Sequence, residues 1–248
     1  MNPPSSVAEV LALVTREPGR PRLTWYGQGG ERIELSGAVL ANWVSKTTNL
    51  LVEEFDAGPG VRIGLDLPAH WRTVVWALAA WRCGACVVVG DEAGAADVVV
   101  TDRPGGFPAV EQVVAVALPG LARRFDGELP AGAVDAASAV MTYGDQIGWA
   151  PEVDGDGSAI HGAGSVVRHD ELVAWAGGGM NTPDGMRVLL EAGNDRDGDV
   201  VATLRSILGV LACDGSFVLL GPSVAAELAA DPVRHARLVE SERVNAGE

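Results

Sequence analysis

The sequence predicts an α/β fold made of two βα layers with largely parallel sheets. Short apolar runs bounded by Gly and Pro are typical of buried strands, and they alternate with segments whose apolar residues have helical spacing. Several of the intervening segments are long enough for the crossover that parallel neighbours require. With 248 residues, of which 48% are hydrophobic, the chain has the material for a substantial core.

The chain opens with a predicted helix and a β-ribbon. Apolar residues at helical spacing predict a helix over Val7–Val14. Arg22–Tyr26 and Arg32–Leu35 flank a Gly-rich loop at 27–30, which is typical of a hairpin. Ser36 is the expected N-cap of a long amphipathic helix that runs through Phe55.

A βαβ unit comes next. We predict a strand over Val61–Leu67, an apolar helix over Trp71–Cys83 and a second strand over Ala85–Val89. Asp97–Asp102 and Val113–Val116 are two further predicted strands. Their apolar character on both faces indicates a buried parallel sheet.

The pattern weakens from 118 to 157, and Pro151–Gly157 is interpreted as a linker. We therefore divide the chain into a first α/β subdomain with the N-terminal helix and ribbon (1–150), a second α/β subdomain (151–240) and a frayed tail (241–248). The second subdomain is predicted to contain strands over Ser158–Ile160, Met186–Glu191 and Ser216–Leu220, and helices over His169–Trp175, Val200–Ala212 and Ala225–Glu240.

Charge and composition exclude several functions. The formal charge of −15 argues against nucleic acid or an anionic membrane as a partner, since both are bound by clustered Lys and Arg. The sequence has three cysteines, no secretory leader pattern and no apolar stretch of membrane-spanning length. We therefore expect a cytoplasmic protein.

Three stretches carry a family resemblance: Ile33–Ser36 before a long helix, Gly58–Pro68, and Ala77–Ala85. In order and spacing they resemble the N-terminal region of AMP-forming acyl-CoA synthetases and related adenylate-forming ligases. The resemblance covers roughly Pro21 to Pro222 and extends to the predicted strands and helix between Met186 and Leu220. It implies the fold of the N-terminal subdomains of those enzymes. The alternative is an unrelated doubly wound domain.

Departures from the family pattern imply that the enzymatic activity is absent. In the family, a Ser/Thr/Gly-rich loop ending in Lys-Gly holds the ATP phosphates, whereas here Ile160 is followed at once by His161, and Val167–Leu172 already resembles the segment after that loop in active relatives. An acidic segment at 191–197 replaces the family's aromatic and His signature. The chain also stops soon after Pro222, before the family's ribose-binding aspartate and catalytic lysine. We expect no catalytic residues, and the residues present do not support ATP or AMP binding.

One ligand site is predicted. Backbone amides around Gly162 and Gly164 would cradle a small anion if they lay at the start of the following helix, with nearby polar groups at His161, Ser165, Arg168 and His169. The alternative is a surface hairpin turn, because Gly-rich turns are common.

Two metal or redox motifs are interpreted as structural. Cys83-Gly84-Ala85-Cys86 has redox spacing, but it lies where a helix ends and not where one begins, so nothing would lower a thiol pKa. Glu152–Gly157 resembles half of a calcium loop, and Ala163 stands where the closing Glu is needed. We predict no metal site.

The tryptophans leave one question open. Trp71, Trp76 and Trp81 are spaced by five, so their rings point in different directions, either into a core or toward an interface. The leading functional hypothesis is a catalytically inactive relative of the ligases that binds a ligand or partner. The alternatives are half of a split ligase that needs a partner chain, and a structural homo-oligomer.

Overall fold

The computed structural model describes residues 3–178, 184–193 and 198–245. The described helices are α1 (Val7–Val14), α2 (Gly37–Phe55), α3 (Trp71–Arg82), α4 (Ala136–Ala139), α5 (Leu172–Gly177), α6 (Gly198–Ala212), α7 (Pro222–Ala229) and α8 (Pro232–Ser241). The described strands are β1 (Pro21–Tyr26), β2 (Arg32–Ser36), β3 (Arg62–Asp66), β4 (Cys86–Val88), β5 (Val98–Thr101), β6 (Val113–Ala115), β7 (Val134–Asp135), β8 (Ser158–Gly162), β9 (Ser165–Arg168), β10 (Arg187–Glu191) and β11 (Ser216–Leu220).

These strands form two mostly parallel sheets, which confirms the predicted α/β fold. Among the described residues, the large sheet has seven strands in the order β7-β6-β5-β3-β4-β8-β9, and only β8 and β9 pair antiparallel. The small sheet has four described strands in the order β10-β11-β1-β2, and only β1 and β2 of these pair antiparallel. In both sheets the antiparallel strand lies at an edge.

The first elements begin and end where the sequence predicts. Helix α1 covers Val7–Val14, and the hydroxyl of Ser6 accepts a hydrogen bond from Glu9 N. Ser36 caps α2 in the same way, accepting a hydrogen bond from Val39 N at 3.4 Å. Helix α2 ends at Phe55 because Asp56 takes a left-handed conformation with φ 50°.

Helix α3 lies at the centre of the molecule. It packs against β3 and β4 of the large sheet, against β1 of the small sheet, and against α1, α2 and α6. The side chains of Trp71, Trp76 and Trp81 are 2%, 3% and 2% exposed. Their five-residue spacing sends the rings in different directions, and this chain itself covers each of them. All three are core residues.

The connection from β4 to β5 crosses β3 at a position where only glycine fits. Between these strands the chain passes β3 in a short 3₁₀ turn over Asp91–Ala95. A Cβ added to Gly64, in the middle of β3, would meet the carbonyl oxygen of Ala93 at 2.1 Å. Only glycine permits this approach of one backbone to another.

The two sheets do not divide the chain at residue 150. The N-terminal ribbon β1–β2 pairs with β11, near the end of the chain, to form the small sheet. The hairpin β8–β9, placed by the sequence in the second subdomain, pairs with β4 in the large sheet. A single continuous cluster of buried apolar residues joins both sheets.

Three predicted elements are corrected. The predicted helix Ala225–Glu240 is two helices, because Pro232 has no N–H for a continuous helix and Asp231 before it takes an extended φ of −132°. The predicted helix at His169 begins only at Leu172. The tail predicted from residue 241 starts inside α8, and Asn245 exchanges hydrogen bonds with the backbone of Arg187.

The poorly patterned segment 118–157 packs on α2. The ammonium of Lys46 donates to the carbonyl of Tyr143 and forms an ion pair with Asp145 at 2.9 Å. Asn49 donates to the carbonyls of Gly144 and Gln146. Polar side chains of α2 therefore order a segment that has little apolar periodicity of its own. Within the described ranges, no helix is long and apolar enough to cross a membrane.

Replacing Gly64 with alanine tests the crossover. The Gly64→Ala methyl would collide with the Ala93 carbonyl, so we expect the free energy of unfolding to fall by about 2–3 kcal/mol. Gly148 is the matched control, because its added Cβ would meet open space and its φ is not in the left-handed region. Gly148→Ala should change stability by less than about 0.5 kcal/mol in urea unfolding. Equal stability of the two variants would contradict this account of the crossover.

Candidate functional site

The predicted anion cradle is the turn of a β-hairpin. Gly162 and Ser165 face each other as the last residue of β8 and the first of β9. Ala163 and Gly164 between them have positive φ values of 49° and 72°, as two-residue hairpin loops with matching strand twist require. The hairpin turn that the sequence left as the alternative is therefore the observed geometry. No helix begins at this described turn, so the helix start invoked for the cradle is absent, and anion binding by these amides stays a prediction.

The two exposed basic side chains of the predicted site face carboxylates. Arg168 forms ion pairs with Asp156, Asp170 and Glu171 at 3.0–3.5 Å. The Nδ1 atom of His161 lies 3.4 Å from a carboxylate oxygen of Glu92. In the hairpin register Arg168 pairs with Ser158, three residues before His161, a spacing of about 10 Å along the strand. The structure places them apart, and each is matched by negative charge.

His169 and the cysteine pair are buried. His169 is 7% exposed and its Nε2 has no hydrogen-bond partner among the described residues. Burial lowers the pKa of this imidazole, against an opposing hydrogen bond with the backbone of Gly84 and the charge of Asp154. Burial also raises the pKa of Cys83 to about 11 and raises that of Cys86. Neither thiol is activated, and no group of His, Cys, Asp and Glu within the described residues is arranged to hold a metal ion.

The carboxyl edge of the large sheet is the usual place for a ligand in an α/β fold. Its central strand ends there at Asp66, whose carboxylate accepts hydrogen bonds from the Thr101 hydroxyl at 2.6 Å and from both Nε and Nη2 of Arg103 at 2.9 and 2.6 Å. Thr101 ends the adjacent strand β5. The two central strand ends are thus tied to each other.

The structure assembles a second candidate that the sequence analysis missed. A cavity of about 370 Å³ lies where β1, β10 and β11 begin, because Pro21, Arg187 and Ser216 all line it. We call it the arginine pocket, since its lining includes Arg20, Arg32, Arg187 and Arg243. Two glutamates, Glu34 and Glu242, also line it, so arginine outnumbers acid in a chain of net charge −15. These arginines are far apart in sequence, and no local motif connects them.

Glu242 holds two of these arginines. Its carboxylate accepts hydrogen bonds from Nε of Arg32 at 3.0 Å, from Nη2 of Arg187 at 2.6 Å and from the hydroxyl of Tyr26. Burial alone would raise the pKa of Glu242, but the hydrogen bonds from Arg32, Tyr26 and Arg187 outweigh it and lower the pKa to about 2. This cluster also fixes the end of α8 against the small sheet.

A larger cavity of about 820 Å³ lies between α6 and α8, beside the edge strand β10. Its described polar lining is spread over Glu191, Thr203, Ser206, His235 and Asn245. No arginine or lysine is among the described residues that line it. It therefore offers less to an anion than the arginine pocket does.

Comparison with known proteins identifies a relative but indicates no enzymatic reaction. No protein-family model matches the chain. A protein of Mycobacterium tuberculosis (strain ATCC 25618 / H37Rv) named TIGR03089 family protein is 40% identical over 143 residues. The alignment covers 54% of this chain, and the chain spans 58% of the length of that relative. The relative's name states no ligand, substrate or partner, so the resemblance to adenylate-forming ligases stays a prediction.

Titration of Glu242 should contribute to acid unfolding. Its pKa in the folded protein, about 2, is below the ordinary 4.5, so its stabilising contribution is complete above about pH 4.5 and is lost as the pH falls toward 2. At neutral pH, Glu242→Gln should lower the free energy of unfolding by about 2–3 kcal/mol. The difference between the two proteins should shrink steadily below about pH 4.5 in urea unfolding. A difference that stays constant down to about pH 3 would contradict the assignment.

Proposed function

We propose that this protein is a non-catalytic binding protein, built on a fold related to the N-terminal subdomains of adenylate-forming ligases, that takes a ligand or a protein partner. Support for the relationship comes from the sequence resemblance and from the strand, helix and strand β3–α3–β4, which lie where the resemblance implies them. The half-ligase and homo-oligomer alternatives lack a specific structural observation in their favour.

The β8–β9 hairpin carries the proposal. Strand β8 corresponds in the resemblance to the strand ahead of the phosphate-binding loop, and here a turn of two residues joins it to β9. Phosphoryl and adenylyl transfer need cations or amides that neutralise the developing charge. The basic side chains of this hairpin, His161 and Arg168, face carboxylates, so they do not supply the positive charge that adenylation requires.

We also propose a cytoplasmic location. All three cysteines are free thiols, and Cys83 and Cys86 are buried in the core. Disulfides are rare in reducing compartments and common in secreted proteins of modest size. The three free thiols, and a core that is built without a disulfide, support a reducing compartment.

A pyrophosphate-release assay tests the proposal. Purified full-length chain with ATP, magnesium and a panel of carboxylic acids should release no more pyrophosphate than heat-denatured protein does, because both basic side chains of the hairpin are matched by carboxylates. An authentic acyl-CoA synthetase serves as the positive control. Release above the denatured control would overturn the non-catalytic proposal. Release that requires addition of a second polypeptide would favour the half-ligase alternative.

A further inference from the structure

The arginine pocket has more donors than its own acceptors use. Arg187 is 13% exposed and is held by Glu242, the Thr24 hydroxyl and the Ser216 hydroxyl. Arg32 donates through Nε and Nη2 to Tyr26, Glu34 and Glu242. Its Nη1 makes no hydrogen bond within the described residues. Because guanidinium groups held in place lose little entropy on binding, this arrangement favours a ligand that needs N–H donors.

Arg20 adds a third guanidinium. Its Nη2 donates to the carbonyl of Gly185 at 2.8 Å, and its Nη1 forms an ion pair with Asp214 at 3.7 Å, a distance too long for a hydrogen bond. The Arg20 side chain is 26% exposed and lines the pocket. Arg20 precedes β1 at the open end of the β1–β2 ribbon, and Arg32 pairs with Tyr26 at the turn end. Both side chains line the cavity.

Arg243 is the least expected member. It comes directly after the C-cap of α8 with φ 53°, and Val244 N donates to Val239 O in the six-residue ring that closes many helices. Glycine is usual at this left-handed position, and a side chain there costs about 1 kcal/mol. Within the described part of the chain, the exposed guanidinium of Arg243 has no hydrogen bond or ion pair to offset that cost. Such a strained residue at a cavity is a reason to look for a ligand.

We propose that the arginine pocket binds a small ligand through a multiply charged oxyanion, either a phosphate group or a pair of carboxylates. The fork of guanidinium N–H groups fits both geometries. A volume of about 370 Å³ suits a small molecule and excludes a folded partner. In a chain of net charge −15, long-range attraction of anions is weak, so the ligand is selected by these local donors. This inference rests on one part of the proposed function, which is that the chain binds a ligand.

The test is a titration of the full-length protein with inorganic pyrophosphate and, separately, with succinate, followed by the NMR signals of arginine Nε–Hε groups. We expect saturable shifts with at least one of the two, and the preferred anion identifies whether phosphate or carboxylate is recognised. Arg243→Gly should weaken binding about tenfold or more, because it removes charge-assisted hydrogen bonds. It should leave stability unchanged or raise it by up to about 1 kcal/mol, so loss of binding cannot come from unfolding.

Arg237→Gln is the matched control. Arg237 is an exposed arginine of α8 that does not line the pocket. Arg237→Gln therefore changes the net charge by the same amount as Arg243→Gly does, without removing a donor from the pocket. The affinity of the Arg237→Gln variant for the anion should stay within about twofold of wild type. No saturable shift with either anion, or equal weakening by Arg243→Gly and Arg237→Gln, would overturn the inference. Neither result bears on pyrophosphate release from ATP, so failure here is distinguishable from failure of the proposed function.

Discussion

The buried position of α3 is the constraint on which both sheets depend. A helix packed on every side has no solvent face, so its polar groups need partners inside the protein. Arg72 donates to the carbonyls of Leu118, Pro119 and Gly120 and stacks over Trp71 at 4.4 Å. Burial lowers its pKa to about 10, against the opposing charge of Glu31, so the side chain remains a cation at neutral pH. The helix therefore orders the loop after β6 as well as the core.

Other arginines also hold separate segments of the chain together. Arg22 is fully buried, donates to the carbonyl of Val14 and pairs with Asp214 at 2.7 Å, which joins the end of α1 to the turn before β11. Arg187 joins β10 to Glu242 at the end of α8. Such pairs stabilise little when compared with apolar replacements, but removal of one partner leaves a buried charge and is costly. They fix which segments lie together more than they add to stability.

The sequence predicted the elements well where periodicity and capping agree, as in α1 and in α2 with its Ser36 cap. It failed where tertiary pairing decides. The four-residue strand β9 exists because β8 offers it an edge, and the pairing of β1 with β11 joins segments almost two hundred residues apart. The sequence analysis missed the arginine pocket for the same reason. Its residues converge through sheet order, which local patterns do not encode.

The two sheets consequently offer opposite chemistry at their strand ends. In the large sheet the central strand finishes at a carboxylate, Asp66, that is already bound by Arg103, and the basic side chains of the β8–β9 hairpin are matched by acids. In the small sheet three strands start beside a concave surface with more guanidinium groups than carboxylates. Among the described residues, the donors that we propose for an anion therefore lie at the small sheet. The proposed loss of a phosphate site at one sheet and the proposed binding of an oxyanion at the other are therefore compatible in a single chain.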